Sequence, residues 1–252
     1  MVDVKKKSLL KVNEFYDINK FLSSEGLTVL GISMPLIDYK QSATNCFEVI
    51  KSFISKIKKS GVGAIIAYSD GLYMNDSEPA IKLKSKFQLL MEKHKQKYLR
   101  LIEKDINVVP SAFSFVTWSQ MILNCQDFSK YFEKLKVIYS KDKKFQEYVE
   151  LDIVSAGRVV DENSINYVLE EILPDYLIAM KKVKLQNDYV QYREKWVLNC
   201  YSGKPHRSHV YIYQQNCFNL KSDNIYQGSW YDVMNKKLYD FDRFDINTFD
   251  FS

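Results

Sequence analysis

The sequence predicts an α/β protein in which helices flank a parallel β-sheet. Two short apolar segments, 27–33 and 63–68, have the composition of strands buried on both faces. Between them, residues 42–59 carry apolar side chains at helical spacing, and Gly61 and Gly63 follow. A strand, a helix and a second strand joined by short connections form a parallel pair with a right-handed crossover.

The composition indicates one domain. The chain of 252 residues is long enough for a large core, and its eight glycines and five prolines leave no glycine- or proline-rich linker. We therefore expect a single domain over residues 1–252, with an N-terminal arm and helix (1–24), a core (25–235) and a tail (236–252). The helix of the arm is expected at 12–21.

The sequence also favours a reduced, cytoplasmic setting. No segment has the run of about 18 apolar residues that a membrane span needs, and the N-terminus lacks the pattern of a secretory signal. The four cysteines are scattered, with no CxxC pair and no histidine at metal-ligand spacing. We expect no metal site and no structural zinc.

Further elements are expected after the second strand. The apolar spacing predicts a helix over 164–173, capped by Asn163 or Ser164 and ended by Pro174. Residues 209–213 are compatible with a strand or a helix, and a possible edge strand follows 225. The other predicted elements are helices over 79–105, 118–125, 128–139 and 145–154 and strands over 108–115 and 196–201.

Ser33 is the candidate nucleophile because it ends the first buried strand. Ligands of open α/β sheets bind at the carboxyl ends of the strands, and Gly31 would let a ligand approach the backbone closely. The segment is not a GxSxG elbow, since Pro35 occupies the position of the second glycine. The alternative is that Ser33 only forms hydrogen bonds within its loop. No glycine-rich phosphate-binding loop follows either strand.

A stripe of cations lies on one face of the helix predicted at 79–105. At 100° per residue, six basic side chains fall within an arc of about 60° over about 33 Å, with apolar side chains opposite. The stripe is either a solvated outer face or a surface that matches the phosphates of a nucleic acid. Its members are Lys82, Lys86, Lys93, Lys97, Arg100 and Lys104.

Tyr167 and Glu171 are four residues apart and therefore share one face of the helix predicted at 164–173. They are either an ordinary surface pair or a phenol and a carboxylate directed at a substrate amine.

Two of these segments together resemble the signatures of the tRNA-dependent cyclodipeptide synthases. Leu30-Gly31-Ile32-Ser33 is similar to the first signature, in which an aliphatic pair surrounds a glycine before the catalytic serine. Asn166–Pro174 is similar to the second, which has a tyrosine, three residues, a glutamate and then a proline. The resemblance covers about residues 25–235 and includes the basic helix between the two signatures.

The resemblance implies a Rossmann-type domain similar to the catalytic domain of class I tyrosyl- and tryptophanyl-tRNA synthetases. It further implies that Ser33 is aminoacylated by a first aminoacyl-tRNA, that a second one gives a dipeptidyl enzyme, and that cyclisation releases a 2,5-diketopiperazine. Tyr167 and Glu171 would hold the α-ammonium group, and Glu171 would act as general base. The substrates are two aminoacyl-tRNAs. No cofactor, no ATP and no obligate protein partner are implied.

The resemblance also assigns the remaining site residues. Tyr201 is preferred as the third catalytic tyrosine, with Tyr213 as its rival, and the basic stripe would bind the acceptor arm of tRNA. Val29, Gly31 and Leu36 are assigned to substrate binding. Two other functions stay open: an RNA-binding protein that has lost the chemistry, and a serine acyltransferase or hydrolase, which would need a base near Ser33.

Overall fold

The structure is a computed structural model. It describes residues 10–11, 26–33, 37–54, 63–70, 78–106, 108, 110, 113–125, 127–180, 182–183, 196–220, 228–235 and 237–248. The predicted helix at 12–21 and Leu36 lie outside these residues. Within the described part of the chain, no helix combines the length and the apolar character needed to cross a membrane.

A seven-stranded sheet forms the centre of the molecule, and its strand order is β1-β7-β6-β5-β2-β3-β4. Within the run β6-β5-β2-β3-β4, each strand is parallel to its neighbours. Strand β7, which forms a hairpin with β6, and the short β1 add an antiparallel edge. The strands are β1 (Leu10–Lys11), β2 (Gly26–Ile32), β3 (Gly63–Tyr68), β4 (Phe113–Thr117), β5 (Trp196–Tyr201), β6 (Ser229–Asp232) and β7 (Lys237–Asp240).

The parallel strands, counted in chain order, run 3-2-1-4-5 across the sheet, which is the Rossmann order. The predicted class, a Rossmann-type α/β sheet flanked by helices, is confirmed. The strand order reverses between β2 and β5, and open α/β sheets bind their ligands at such a reversal.

Helices cover both faces of this sheet. They are α1 (Ala43–Ile54), α2 (Glu78–Lys104), α3 (Trp118–Leu123), α4 (Phe128–Lys141), α5 (Lys143–Ser155), α6 (Glu162–Ala179) and α7 (Arg207–Gln214), and a 3-10 turn (Phe241–Arg243) follows β7.

The core is divided by the sheet because successive strand side chains point to opposite faces. Leu30 and Ile32 of β2 pack with the buried sides of α1 and α2. Val29 packs with the cluster formed by helices α3 to α7. On α2, the apolar stripe is buried as predicted, with Phe87 and Tyr98 fully enclosed.

The strands predicted at 27–33, 63–68 and 196–201 are confirmed within one residue. The third strand lies later than predicted, at 113–117 rather than 108–115. A proline cannot donate to a strand ladder, and Pro110 precedes the observed strand. Residues 209–213 belong to helix α7. The predicted boundary at 235 falls inside the hairpin of β6 and β7.

The predicted end of helix α6 at Pro174 is wrong. The helix begins at Glu162, is capped by the Asp161 side chain rather than by Asn163 or Ser164, and continues to Ala179. An interior proline costs a helix about 3 kcal/mol, but residues 172–179 are all buried, and burial of several apolar side chains at about 1.5–3 kcal/mol each offsets that cost. The continuation carries Asp175 into the interior.

Candidate active site at the strand reversal

A cavity that is partly open to solvent lies at the carboxyl ends of β2 and β5. Strand β2 contributes Val29 and Gly31, and β5 contributes Cys200 and Tyr201. Trp230 of the neighbouring strand β6 extends the wall. The cavity therefore occupies the place that the strand order marks as the ligand site.

Gly31 allows two strands of this wall to pack closely. A Cβ atom at position 31 would lie 3.2 Å from Cδ2 of Tyr201, closer than most such contacts. The glycine of the first signature therefore makes room for the Tyr201 ring, which also packs edge-on against Trp230 at 5.7 Å between ring centroids.

Ser33 is held at the end of β2 by Gln41, which sequence reasoning did not identify. The Ser33 N–H donates to Gln41 Oε1 at 2.7 Å, and the Ser33 hydroxyl donates to the same oxygen at 3.3 Å. Gln41 Nε2 in turn donates to the carbonyl of Gly31 at 2.8 Å. An amide oxygen is not a base, so this contact orients the hydroxyl without removing its proton.

The network continues from Gln41 to helix α2. His94 Nε2 donates to the Gln41 carbonyl at 2.9 Å, so His94 Nδ1 is the acceptor for the Tyr68 hydroxyl, also at 2.9 Å. Burial lowers the pKa of His94, which keeps its ring neutral. The strand end that carries Ser33 is thus bonded through Gln41 to the helix that carries the basic stripe.

Helix α6 brings a carboxylate to the cavity. Glu171 lines it, and Oε2 of Glu171 lies 4.0 Å from Nε2 of His206, a half-buried side chain at the start of α7. Tyr167, one turn earlier, does not line the cavity, and its ring lies under the guanidinium of Arg158 at 4.1 Å. A cation over an aromatic face stabilises this arrangement.

Two buried titratable groups of the cavity were missed by sequence reasoning. Burial, and secondly the charge of Glu171, raises the pKa of Asp175 from 3.8 to about 7. Burial, and secondly His206, lowers the pKa of His209 to about 3. The available signal for Asp175 was its spacing of four residues from Glu171, which the expected helix end at Pro174 concealed.

Two tryptophans also line the cavity, together with the small polar side chains of Ser69, Asn199 and Cys200. The indole N–H of Trp118 donates to Ser69 Oγ, and that of Trp230 donates to the Gly203 carbonyl at 2.8 Å. Both indole N–H groups are therefore bonded to the protein, and the two tryptophans present mainly apolar ring surface to the cavity.

The rival tyrosine lies elsewhere. The Tyr213 hydroxyl donates to Asp242 at 3.0 Å, and its ring packs over Gly228, where a Cβ atom would approach within 2.3 Å. Tyr213 does not line the cavity, whereas Tyr201 does.

The structure thus brings Val29, Gly31, Glu171 and Tyr201 together in the cavity wall, but Ser33, which is buried two residues beyond Gly31, does not line the cavity. Its cavity does not include Tyr167, and Leu36 lies outside the described residues. The catalytic and substrate-binding roles of all these residues stay predictions. In the part of the chain that the structure covers, no group of three or more histidine, cysteine, aspartate or glutamate side chains is arranged so that it could hold a metal ion.

The basic stripe lies on the exposed side of α2. Five of its six members have exposed side chains, and the side chain of Lys82 is outside the described set. The exposed members are Lys86, Lys93, Lys97, Arg100 and Lys104.

Solved structures of known activity share this architecture. The chain is similar to a cyclodipeptide synthase from Bacillus thermoamylovorans, with a TM-score of 0.56 and 17% identity over 88% of this chain and 95% of that one. Similar structures are a cyclodipeptide synthase from Fluoribacter dumoffii (TM-score 0.55, 15% identity, 82% and 89% covered) and one from Staphylococcus haemolyticus (TM-score 0.55, 16% identity, 83% and 90% covered).

At the level of sequence, no protein-family model and no curated protein matches the chain. The likeness is therefore one of three-dimensional structure, and it extends over most of the chain and most of each neighbour. The chain has the fold of the cyclodipeptide synthases.

Proposed function

We propose that this protein is a cyclodipeptide synthase that joins the amino acids of two aminoacyl-tRNAs into a 2,5-diketopiperazine through an aminoacyl-Ser33 intermediate. The observation that carries the proposal is the cavity at the strand reversal. It combines Glu171 and Tyr201 beside the strand that ends in Ser33, in a chain with the fold of these enzymes.

The first step is acyl transfer to Ser33. Its hydroxyl oxygen attacks the carbonyl carbon of the first aminoacyl-tRNA ester, and the bond from that carbon to the ribose oxygen breaks. The ribose oxygen leaves with the serine proton, so no histidine base is required. The contact from Ser33 to the amide oxygen of Gln41 fits this route, because it orients the hydroxyl and provides no base.

The next steps take place on the α-amino group of the acyl enzyme. Tyr167 and Glu171 hold this group as an ammonium ion, and Glu171 accepts a proton so that the free amine can attack the carbonyl carbon of the second aminoacyl-tRNA ester. The bond from that carbon to the second ribose oxygen breaks, and this oxygen leaves as a hydroxyl with a proton from the amine. The resulting dipeptidyl enzyme has a free amine, which attacks the Ser33 ester. The second amide bond forms, Ser33 leaves as a hydroxyl, and the cyclic dipeptide is released. Tyr201 is the third proposed catalytic side chain, since it lies against Gly31 in the same wall.

The exposed cations of α2 are the proposed contact to the acceptor arm of the first tRNA. A row of cations along one helix face supports a backbone-directed, salt-dependent interaction. The tRNA ester is already an activated acyl donor, so the reaction needs neither ATP nor a cofactor. We place it in the cytoplasm, where charged tRNAs are available.

The test is mass spectrometry of medium from bacteria that express the protein. We expect a new cyclic dipeptide with the wild type and none with Ser33→Ala. The matched control is Ser140→Ala on α4, an exposed serine whose hydroxyl donates to its own helix, and it should leave the product unchanged. Full product from Ser33→Ala would refute the covalent intermediate.

The remaining alternative is a tRNA-binding protein of the same fold without catalysis. It predicts tRNA binding by both the wild type and Ser33→Ala with no cyclic dipeptide from either. The presence of a serine, a carboxylate and a tyrosine at the strand reversal favours the enzyme, since binding alone requires none of them.

A further inference from the structure

A buried carboxyl in the cavity wall has no role in the steps above. Asp175 is only 8% exposed and lines the cavity one helical turn after Glu171. Among the described residues, no hydrogen-bond donor and no cation contacts its carboxylate. Burial of an unpaired carboxyl is unfavourable, and a hydrogen-bond donor that enters the cavity would offset this cost.

A second polar group of the same cavity is also unpaired. His209 is 3% exposed, and its Nε2 is buried with no hydrogen-bond partner in the described part of the chain. Its pKa of about 3, the result of burial, keeps the ring neutral. A neutral imidazole can accept or donate one hydrogen bond at this atom without adding a charge to the cavity.

The aromatic part of the wall favours a flat apolar body. Trp118, Trp230 and Tyr201 contribute aromatic surface, and both indole N–H groups are already bonded to the protein. Aromatic rings pack edge-to-face or offset against such surfaces. A flexible cationic chain would lose more side-chain entropy on entry and would add the cost of desolvating a second buried charge.

We propose that this cavity receives the side chain of the amino acid carried by the first tRNA, and that Asp175 selects an aromatic ring that ends in a neutral hydrogen-bond donor. The class comprises the phenol of tyrosine and the indole of tryptophan. This inference rests on the proposed function for the identity of the substrate, and His209 is the second polar contact. A site built around such a bond rejects the analogue that lacks the donor, by a factor of about 10⁴ or more in the strongest cases.

The test is equilibrium binding of amino acid methyl esters to the whole protein, because these esters carry the α-ammonium group and the acyl group of the substrate. We expect the tyrosine or the tryptophan ester to bind at least about tenfold more tightly than the phenylalanine ester. This ratio corresponds to the free energy of one hydrogen bond to a carboxylate. Asp175→Leu should remove this preference, and the isosteric Asp175→Asn, which preserves packing, should reduce it.

The matched control is Glu170→Gln, which changes a half-buried carboxyl on the same helix that does not line the cavity. It should retain the wild-type preference. Equal binding of the three aromatic esters by the wild type, absence of binding, tighter binding of the lysine ester, or an unchanged preference in Asp175→Leu would each overturn the inference.

The product of the expressed protein separates this inference from the proposed function. Ester preference without any cyclic dipeptide would support the cavity assignment and refute the enzyme. Cyclic dipeptides made only from aliphatic amino acids, with no ester preference, would support the enzyme and overturn the role of Asp175. If both hold, Asp175→Leu should shift the product towards phenylalanine or leucine.

Discussion

The buried polar groups on the two sides of strand β2 differ in how they are satisfied. On the side of α1 and α2, His94 is bonded at both ring nitrogens, and Gln41 joins it to Ser33. In the cavity on the other side, His209 has a buried Nε2 without a partner, and no donor contacts Asp175 among the residues that the structure covers.

This difference separates two uses of buried polar groups. A fully bonded network stabilises one geometry of the free protein, here the end of the strand that carries Ser33. Unpaired groups destabilise the free protein, and a ligand that bonds them recovers the energy. We therefore expect removal of a group to lower stability on the first side and to raise it, or leave it unchanged, on the second.

The largest expected effect is a gain of stability in Asp175→Asn at neutral pH. The carboxyl ionises near pH 4 in the unfolded chain and near pH 7 in the folded one. Between these values the unfolded state has lost the proton that the folded state keeps, so wild-type stability falls as pH rises from about 4 to about 7. The decrease amounts to about 4 kcal/mol at about 1.4 kcal/mol per pKa unit.

An amide at this position does not titrate. Urea unfolding should therefore show Asp175→Asn to be more stable than the wild type above about pH 7, with the difference vanishing near pH 4. Asp152→Asn is the control, because that buried carboxylate accepts hydrogen bonds from Arg207 and Ser208 and its loss should destabilise at both pH values. The same pH dependence of stability in the wild type and in Asp175→Asn would show that ionisation of Asp175 does not cause it.

The next effect compares the two buried histidines. His94→Leu leaves the Tyr68 hydroxyl and the Gln41 carbonyl without partners and should cost about 2–3 kcal/mol of unfolding free energy. His209→Leu removes a ring whose Nε2 has no partner among the described residues, so it should leave the free energy of unfolding unchanged or raise it. Chemical unfolding of both variants measures the two changes in the free energy of unfolding. Equal losses of stability would show that the two histidines are equivalent packing residues.

The smallest effect on stability is expected on the exposed face of α2. Lys93→Glu with Lys97→Glu should change the free energy of unfolding by no more than about 0.5 kcal/mol per site, since both side chains are exposed. It should weaken tRNA binding and lower the salt slope by about 1 for each phosphate that the variant no longer binds. Charge reversal at Lys141 and Lys143 is the control and should leave the salt dependence of tRNA binding unchanged. If the Lys93 and Lys97 variant also left it unchanged, the stripe would be an ordinary solvated face.

Much of the fold was predictable because it depends on local patterns. The runs at 27–33 and 63–68 are apolar throughout, as strands covered on both faces must be, and α2 shows its buried side in the spacing of Phe87 and Tyr98. The end of α6 was not predictable, because a local rule for Pro174 was overridden by burial of the residues that follow it.

Ser33, Gly31, Tyr167, Glu171 and Tyr201 could be selected from the sequence because short signatures and strand ends mark them. Gln41 and His209 carry no such mark, and the spacing that marks Asp175 was concealed by the helix end expected at Pro174. Their places depend on contacts between distant segments, such as that of Gln41 with Ser33, and on the crossing of α6 and α7 over the sheet.

The sequence by itself determined the class of the fold, the order of its central elements and the strand end at which chemistry is expected, because periodicity and composition are local properties. Only the tertiary structure decided which polar groups are bonded and which are left open in the cavity. Desolvation and hydrogen bonding depend on every segment that surrounds a side chain, and for Asp175 those segments include α6 itself and the strand end at Cys200.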